Sequence, residues 1–195
     1  GNIGFFSLVF CLNNNTDNKK RAYCFEPSPF GLSTCVEILD HNDWFDRIKL
    51  FPLFVGDKED TVEILIEDTK TFVALFEKSD ENHGIIDRGG RSRGTMVSLD
   101  NFTWLAEMGK EGEQYSLDLV FEDDRKEVHH NYAGFKEDFD IDTIKIDVEG
   151  YEYKVLSGAK DTLKKYKPLM FLEIHGHLLK LYNAGIMDVY TILKE

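Results

Sequence analysis

Residues 142–159 read Asp-Thr-Ile-Lys-Ile-Asp-Val-Glu-Gly-Tyr-Glu-Tyr-Lys-Val-Leu-Ser-Gly-Ala, and they set out a strand, a turn and a helix in order. Thr143 to Val148 predicts a buried strand, with Ile144, Ile146 and Val148 at alternate positions and acid at its end in Asp147 and Glu149. Gly150 turns the chain. Tyr151 to Tyr166 predicts an amphipathic helix with Val155, Leu156, Ala159 and Leu163 inward and Lys160, Lys164 and Lys165 outward. Pro168 stops it. Leu169 to Ile174 is then a near-continuous apolar run, with Glu173 and His175 at its end. Runs of that kind belong to parallel strands covered on both faces.

Upstream the rhythm repeats. Gly1 to Gly4 reads as a loop that opens a helix over Phe5 to Leu12, and Asn13 to Lys20 as a polar turn. Ala22 to Phe25 is a short buried strand closed by Glu26-Pro27-Ser28-Pro29, where two prolines forbid continuation. Ser28 is a good N-cap for a helix through Leu39. Ile48 to Val55 predicts a second strand ending at Gly56-Asp57, and Thr61 to Glu67 a half-exposed one. Lys70 to Thr95 reads as irregular, punctuated by Gly84, Gly89, Gly90 and Gly94. Met96 to Leu99 reads as a short strand, with Asp100 as N-cap of a helix to about Met108. Residues 110–140 are charged and read as an insertion or lid, with a strand over Tyr115 to Phe121. A last helix is expected over Leu178 to Tyr182, Met187 to Lys194, or both. The pattern predicts a single α/β domain over 1–195, built on a doubly wound, mostly parallel sheet.

Composition limits the function classes. Across 195 residues, 23 Lys and Arg against 36 Asp and Glu leave a net charge of −13. Such a chain repels phosphate backbones and anionic lipid, which disfavours nucleic-acid and membrane-surface binding. Apolar residues at 42% and 15 Phe supply a core, which excludes disorder as the whole story. Cys11, Cys24 and Cys35 show no metal-ligand spacing and read as small buried hydrophobes in a reducing compartment. Phe5 to Leu12 is too short to span a bilayer and follows no basic stretch, so a cytoplasmic location is expected. The opening at Gly1, with no strand ahead of its glycine turn, and the uncapped end at Tyr190 to Glu195 read as truncation at both ends.

In an open parallel sheet, ligands sit beyond the carboxyl ends of the strands. Gly1-Asn2-Ile3-Gly4 would let a ligand approach the backbone at a helix N-terminus, or is an ordinary loop. Glu26 lies at a strand end beyond that turn, where a carboxylate can accept both hydroxyls of a ribose, or is a solvated turn residue. Gly56-Asp57 would meet an adenine amino group, or is simple turn chemistry. Asp147, Glu149, Glu173 and His175 stand on successive strand ends, where a carboxylate or His can act as general base toward a hydroxyl. The competing reading makes Asp147 a cap for the next helix. His41, His83, His129 and His130 match no metal-ligand spacing and read as solvated loop residues, and no metal site is expected. Arg88, Arg91 and Arg93 among glycines could hold a phosphate or carboxylate on a substrate, or form an exposed loop.

Three blocks in order resemble the FkbM family of S-adenosylmethionine-dependent methyltransferases. They are Gly-Asn-Ile-Gly-Phe-Phe-Ser at 1–7, Tyr-Cys-Phe-Glu-Pro-Ser-Pro-Phe at 23–30, and the run from Asp142 to Glu152 continuing to Val155-Leu156-Ser157-Gly158-Ala159. Weaker echoes are Val55-Gly56-Asp57-Lys58, Ser98-Leu99-Asp100 and Phe171 to His175. The resemblance implies a Rossmann-like class I methyltransferase fold. It implies methyl transfer to a hydroxyl oxygen of a small molecule, sugar or glycan. By motif, Gly1, Asn2 and Gly4 would lie against the methionine part of S-adenosylmethionine. Glu26, with Pro27 and Ser28, would hold the ribose, and Gly56 and Asp57 the adenine. Asp147, Glu173 and His175 would serve the reacting end, with Glu149 on the substrate side. Two rivals remain. A nucleotide-cofactor oxidoreductase would need a third glycine that residues 1–7 lack. A degenerate cofactor-binding or interaction module would bind without turnover.

Overall fold

The computed structural model of the chain describes residues 4–13, 21–65, 72–78, 81–87, 91–108, 114–121, 126–133 and 140–195. In chain order the elements are α1 (Phe5–Asn13), β1 (Ala22–Phe25), α2 (Pro29–Asn42), β2 (Ile48–Phe51), β3 (Phe54–Gly56), β4 (Asp60–Leu65), β5 (Phe72–Lys78), β6 (Glu81–Asp87), β7 (Arg91–Ser98), α3 (Leu99–Met108), β8 (Gln114–Phe121), β9 (Lys126–Ala133), β10 (Thr143–Ile146), α4 (Glu152–Ser157), α5 (Lys160–Tyr166), β11 (Leu169–Leu172), a 3-10 turn (Leu179–Tyr182) and α6 (Ile186–Ile192). They fall into two compact units: residues 1–54, 61–95 and 112–134, and residues 55–60, 96–111 and 135–195.

In the first unit β1 and β2 run parallel, with Cys24 opposite Leu50 and Phe25 opposite Phe51. Parallel strands need a crossover, and α2 supplies it. Its inward face buries Leu32, Cys35, Val36 and Leu39, in a core that also holds Ile48, Leu50 and Phe51. The expected cap is present: Ser28 is extended, and its Oγ accepts from Gly31 N at 3.1 Å. α2 runs past the expected Leu39 to Asn42, and Asp43 ends it in the left-handed region at φ 55°. The strand expected from Ile48 to Val55 breaks into β2 and β3 around Pro52, which has no N–H for a ladder. All three cysteines are buried free thiols. The Cys35 thiol hydrogen-bonds the Cys24 sulfur, and this together with burial holds its proton well above the usual thiol range.

The same unit carries antiparallel strands: β5, β6 and the start of β7 lie where the sequence reads as irregular, and β8 lies where a strand over Tyr115 to Phe121 is expected. β5 pairs with β6 and with β8, β8 pairs with β9, and β6 pairs with the start of β7. Gly84 stands opposite Leu75, and Gly94 opposite Ile85, so both glycines lie within strands rather than in loops. His83 lies in β6, His129 and His130 in β9, and Arg91 and Arg93 in β7, not in the loops expected for them. Arg88, Gly89 and Gly90 lie outside the described residues.

In the second unit β10 and β11 run parallel from Thr143 opposite Leu169 to Ile146 opposite Leu172. Ile146, Val155, Leu156, Leu179, Ala184, Val189 and Ile192 form its core, with Met170 and Leu172 packed against it. Leu169 and Phe171, on the alternate face of β11, are exposed, so that strand is not covered on both sides. The helix expected from Tyr151 to Tyr166 is two helices, α4 and α5, parted at Gly158 and Ala159. A Cβ on Gly158 would fall 2.9 Å from Asp57 Cα and closer still to the Gly56 carbonyl oxygen, so the break sits where backbone meets backbone.

Asp100 corrects another expectation. The Ser98 hydroxyl, not Asp100, meets the first turn of α3, accepting from Asn101 N at 3.2 Å. The Asp100 carboxylate instead caps α5, taking Thr162 N at 2.7 Å and Asp161 N at 3.2 Å. A buried hydroxyl pair, Thr103 with Thr162 at 2.9 Å, joins the same two helices.

Candidate functional site

The strand-end residues divide between the two units. In the second unit, β10 delivers Asp147, and the next residues turn sharply: Glu149 has φ 50° and Gly150 φ 100°. Gly150 must be glycine, both for that φ and because a Cβ there would lie 2.8 Å from the backbone carbon of Leu178. Backbone hydrogen bonds fix the facing segment, with Glu173 N donating to Ile146 O at 3.0 Å and Leu178 N to His175 O at 2.8 Å.

These turns bring Asp147, Glu149, Glu173 and His175 together. A carboxylate oxygen of Asp147, one of Glu149 and a ring nitrogen of His175 lie within 4.8 Å of one another. His175 Nε2 stands 3.3 Å from Glu149 Oε2 and 3.5 Å from Glu173 Oε1. Its Nδ1 lies 2.9 Å from Glu152 Oε1. An ionised carboxylate only accepts, so with Glu152 ionised the proton of that bond would sit on Nδ1. The Glu152 hydrogen bond, then the nearby carboxylate charges, raise the pKa of His175 against the opposing effect of desolvation. The His175 side chain is 16% exposed, while Glu149 and Glu173 are 74% and 64% exposed, so the ring's Nε2 side is the one that borders solvent. Asp147 does not cap a helix; its Oδ2 is paired with Lys145 Nζ at 2.8 Å.

Glu152 escaped the sequence reading. It is fully buried and accepts from Gly150 N at 2.9 Å as well as holding His175. The available signal was its helical spacing: Val155 and Leu156, three and four residues on, both face the core, so an acid at 152 shares their side.

Gly56 and Asp57 belong to this unit too. A Cβ on Gly56 would lie 3.2 Å from Tyr151 Cε1 and would strike Met96 Sδ, so a larger residue there would have to displace the Met96 side chain. Asp57 Oδ2 pairs with Lys154 Nζ at 2.7 Å, and that bond raises the lysine's pKa.

In the first unit, Glu26 continues the β1–β2 ladder through its N–H to Phe51 O at 3.0 Å. Its side chain is buried at 6% exposure, and Oε1 accepts from Ser28 N at 2.8 Å. Gly31, not singled out from sequence, makes room for it: a Cβ there would lie 2.7 Å from Glu26 Cδ. Gly4 adopts φ 73° at the start of α1, against Cys35 Sγ. Gly1 and Asn2 lie outside the described residues. A carboxylate locked at the carboxyl end of a parallel strand fits a ribose diol, and the residues present therefore fit a nucleoside-bearing group.

A family model described as the methyltransferase FkbM domain matches residues 1–182. The chain belongs to the FkbM family. A solved structure, methyltransferase FkbM from Methylobacillus flagellatus KT, is similar in fold, with TM-score 0.51, 15% identity and 93% of this chain covered. The match spans 34% of that protein, so this chain corresponds to about a third of its length. No curated protein matches the chain. The FkbM assignment agrees with the α/β architecture and its parallel strand pairs, as read from the sequence. Among the described residues no helix is long and apolar enough to cross a membrane.

Proposed function

We propose that this FkbM-family chain transfers a methyl group from S-adenosylmethionine to a hydroxyl oxygen of a small-molecule, sugar or glycan acceptor. The observation that carries the proposal is the His175 cluster, an imidazole held at Nδ1 with Nε2 turned to the solvent-bordering side. The cofactor, when bound, supplies an electrophilic sulfonium methyl. The chain's own residues bind, orient and take a proton. Glu26, with Pro27 and Ser28 beside it, holds the ribose, and Gly4 with Gly1 and Asn2 borders the methionine part. Gly56 and Asp57 border the adenine, where Asp57 has one oxygen engaged by Lys154. His175 Nε2 accepts the hydroxyl proton, a role worth about a hundred- to ten-thousand-fold in rate. Asp147 and Glu173 stabilise the imidazolium that results, and Glu149 orients the acceptor. Alignment of the acceptor oxygen supplies much of the remaining rate.

Glu26→Gln tests the cofactor half. It keeps an oxygen for Ser28 N and loses the charge that a diol would use. Hydrogen bonds to charged groups contribute about 1.5–3 kcal/mol, so affinity for S-adenosylhomocysteine should fall roughly 10- to 150-fold in calorimetric titration. Unchanged affinity in a folded variant would remove Glu26 from the binding site.

A further inference from the structure

We propose that Glu152 is a positioning residue that holds His175 in the Nδ1-protonated tautomer and so makes Nε2 the proton-accepting atom; this rests on the methyl-transfer reading above. The Glu152 side chain is 0% exposed, and its Oε1 lies 2.9 Å from His175 Nδ1 and 2.9 Å from Gly150 N. Its Oε2 is buried and has no hydrogen-bond partner among the described residues. Burying a carboxylate with one oxygen unpaired opposes folding. A Met or Leu at 152 would pack against Val155 and Leu156 without that cost. What the carboxylate contributes is direction: it accepts one proton from the ring and leaves the other nitrogen's lone pair outward.

Both partners are fixed. Glu152 stands in the first turn of α4, behind a turn that glycine at 150 alone permits. His175 is held by two N–H donors on its own carbonyl, Leu178 at 2.8 Å and Leu179 at 3.1 Å. Among the described residues, the charged groups facing the ring are Glu152 on Nδ1 and Glu149 and Glu173 on Nε2, with Asp147 in the same cluster and bridged to Lys145. A proton taken up at Nε2 therefore enters a field of carboxylates. Among the described residues, Glu152 alone acts from the buried side.

The test reads the ring directly. Nitrogen NMR of the imidazoles, with the His175 signals identified by their loss in His175→Asn, gives tautomer and titration in the wild-type chain without any activity. The Nδ1–H tautomer is expected above the titration midpoint, and Glu152→Gln should lower that midpoint. In turnover assays the acidic limb should move the same way, with kcat down at least tenfold and the KM for the methyl donor unchanged. Glu152→Met, which folds without a buried charge, should lose the tautomer preference as well. An Nε2–H tautomer in the wild type would overturn the proposal, as would a Glu152→Gln chain whose His175 titrates unchanged. Wild-type protein that shows the expected tautomer but transfers no methyl group would instead overturn the activity on which the proposal rests.

Discussion

Gly158→Ala is a one-carbon change whose cost can be worked from the backbone. Gly158 has φ −89° and ψ 11°, which alanine adopts freely, so no dihedral strain arises. The cost is steric. The new Cβ would lie 2.9 Å from Asp57 Cα and 3.0 Å from the Gly56 carbonyl carbon, both backbone atoms that cannot swing aside. Carbon atoms rest at about 3.5–4.0 Å, so the α4–α5 junction and the Gly56–Asp57 turn must part by at least about half an ångström. Overpacking of this kind costs about 1–3 kcal/mol. The shift also strains two bonds that tie the region together, Asp100 N to Gly158 O at 2.8 Å and Lys154 to Asp57 at 2.7 Å. Gly176→Ala is the matched control: a Cβ there meets nothing within 4 Å, so the same substitution should be neutral, or stabilising by about 0.4–1 kcal/mol through the unfolded chain. Urea unfolding of the three chains measures both. With a slope of roughly 1–3 kcal/mol per molar, Gly158→Ala should lower the midpoint by about 1 M. Equal midpoints for Gly158→Ala and Gly176→Ala would refute the close approach of these backbones.

Asp100→Ala removes the acceptor for two N–H groups at the start of α5 and should cost about 2 kcal/mol, against about half of that for Asp100→Asn, which keeps one acceptor oxygen. Chemical denaturation checks both, and a loss below about 0.5 kcal/mol for Asp100→Ala would show that water replaces the cap. His175 makes stability depend on pH. Its pKa is raised in the folded chain, so its stabilising contribution is complete below the unfolded value of about 6.5 and is lost as pH rises through the higher folded value. The stability gap between wild type and His175→Gln should therefore narrow from pH 6 upward, and a gap that widens over that range would reverse the sign.

What the sequence shows and what it hides follow from the range of each interaction. Ser28 and Glu26 are legible because their chemistry is local: a proline pair ends the strand, and a hydroxyl three residues from Gly31 N makes the cap. The meeting of Asp147, Glu149, Glu173 and His175 is legible because parallel neighbours align their ends. The spacing to Val155 and Leu156 places Glu152 on the core side, but its partner is hidden, since His175 lies 23 residues away. The break at Gly158 is hidden for the same reason: the helical period runs through it, and the backbone that interrupts it comes from Gly56 and Asp57. Asp100 fits the rule for a helix start, and its local reading is natural, yet Ser98 reaches Asn101 N first and frees Asp100 for α5. The strands β5 and β6 are hidden by composition. Gly84 reads as a loop marker, while its place opposite Leu75 is set by pairing with another strand.

The central claim is that the FkbM-family chain holds an S-adenosyl group at its strand ends. Isothermal titration of the chain with S-adenosylhomocysteine tests it most directly. Micromolar binding at one site, weakened by Glu26→Gln, is the predicted result. No heat of binding from folded protein, or binding that Glu26→Gln leaves unchanged, would contradict the account.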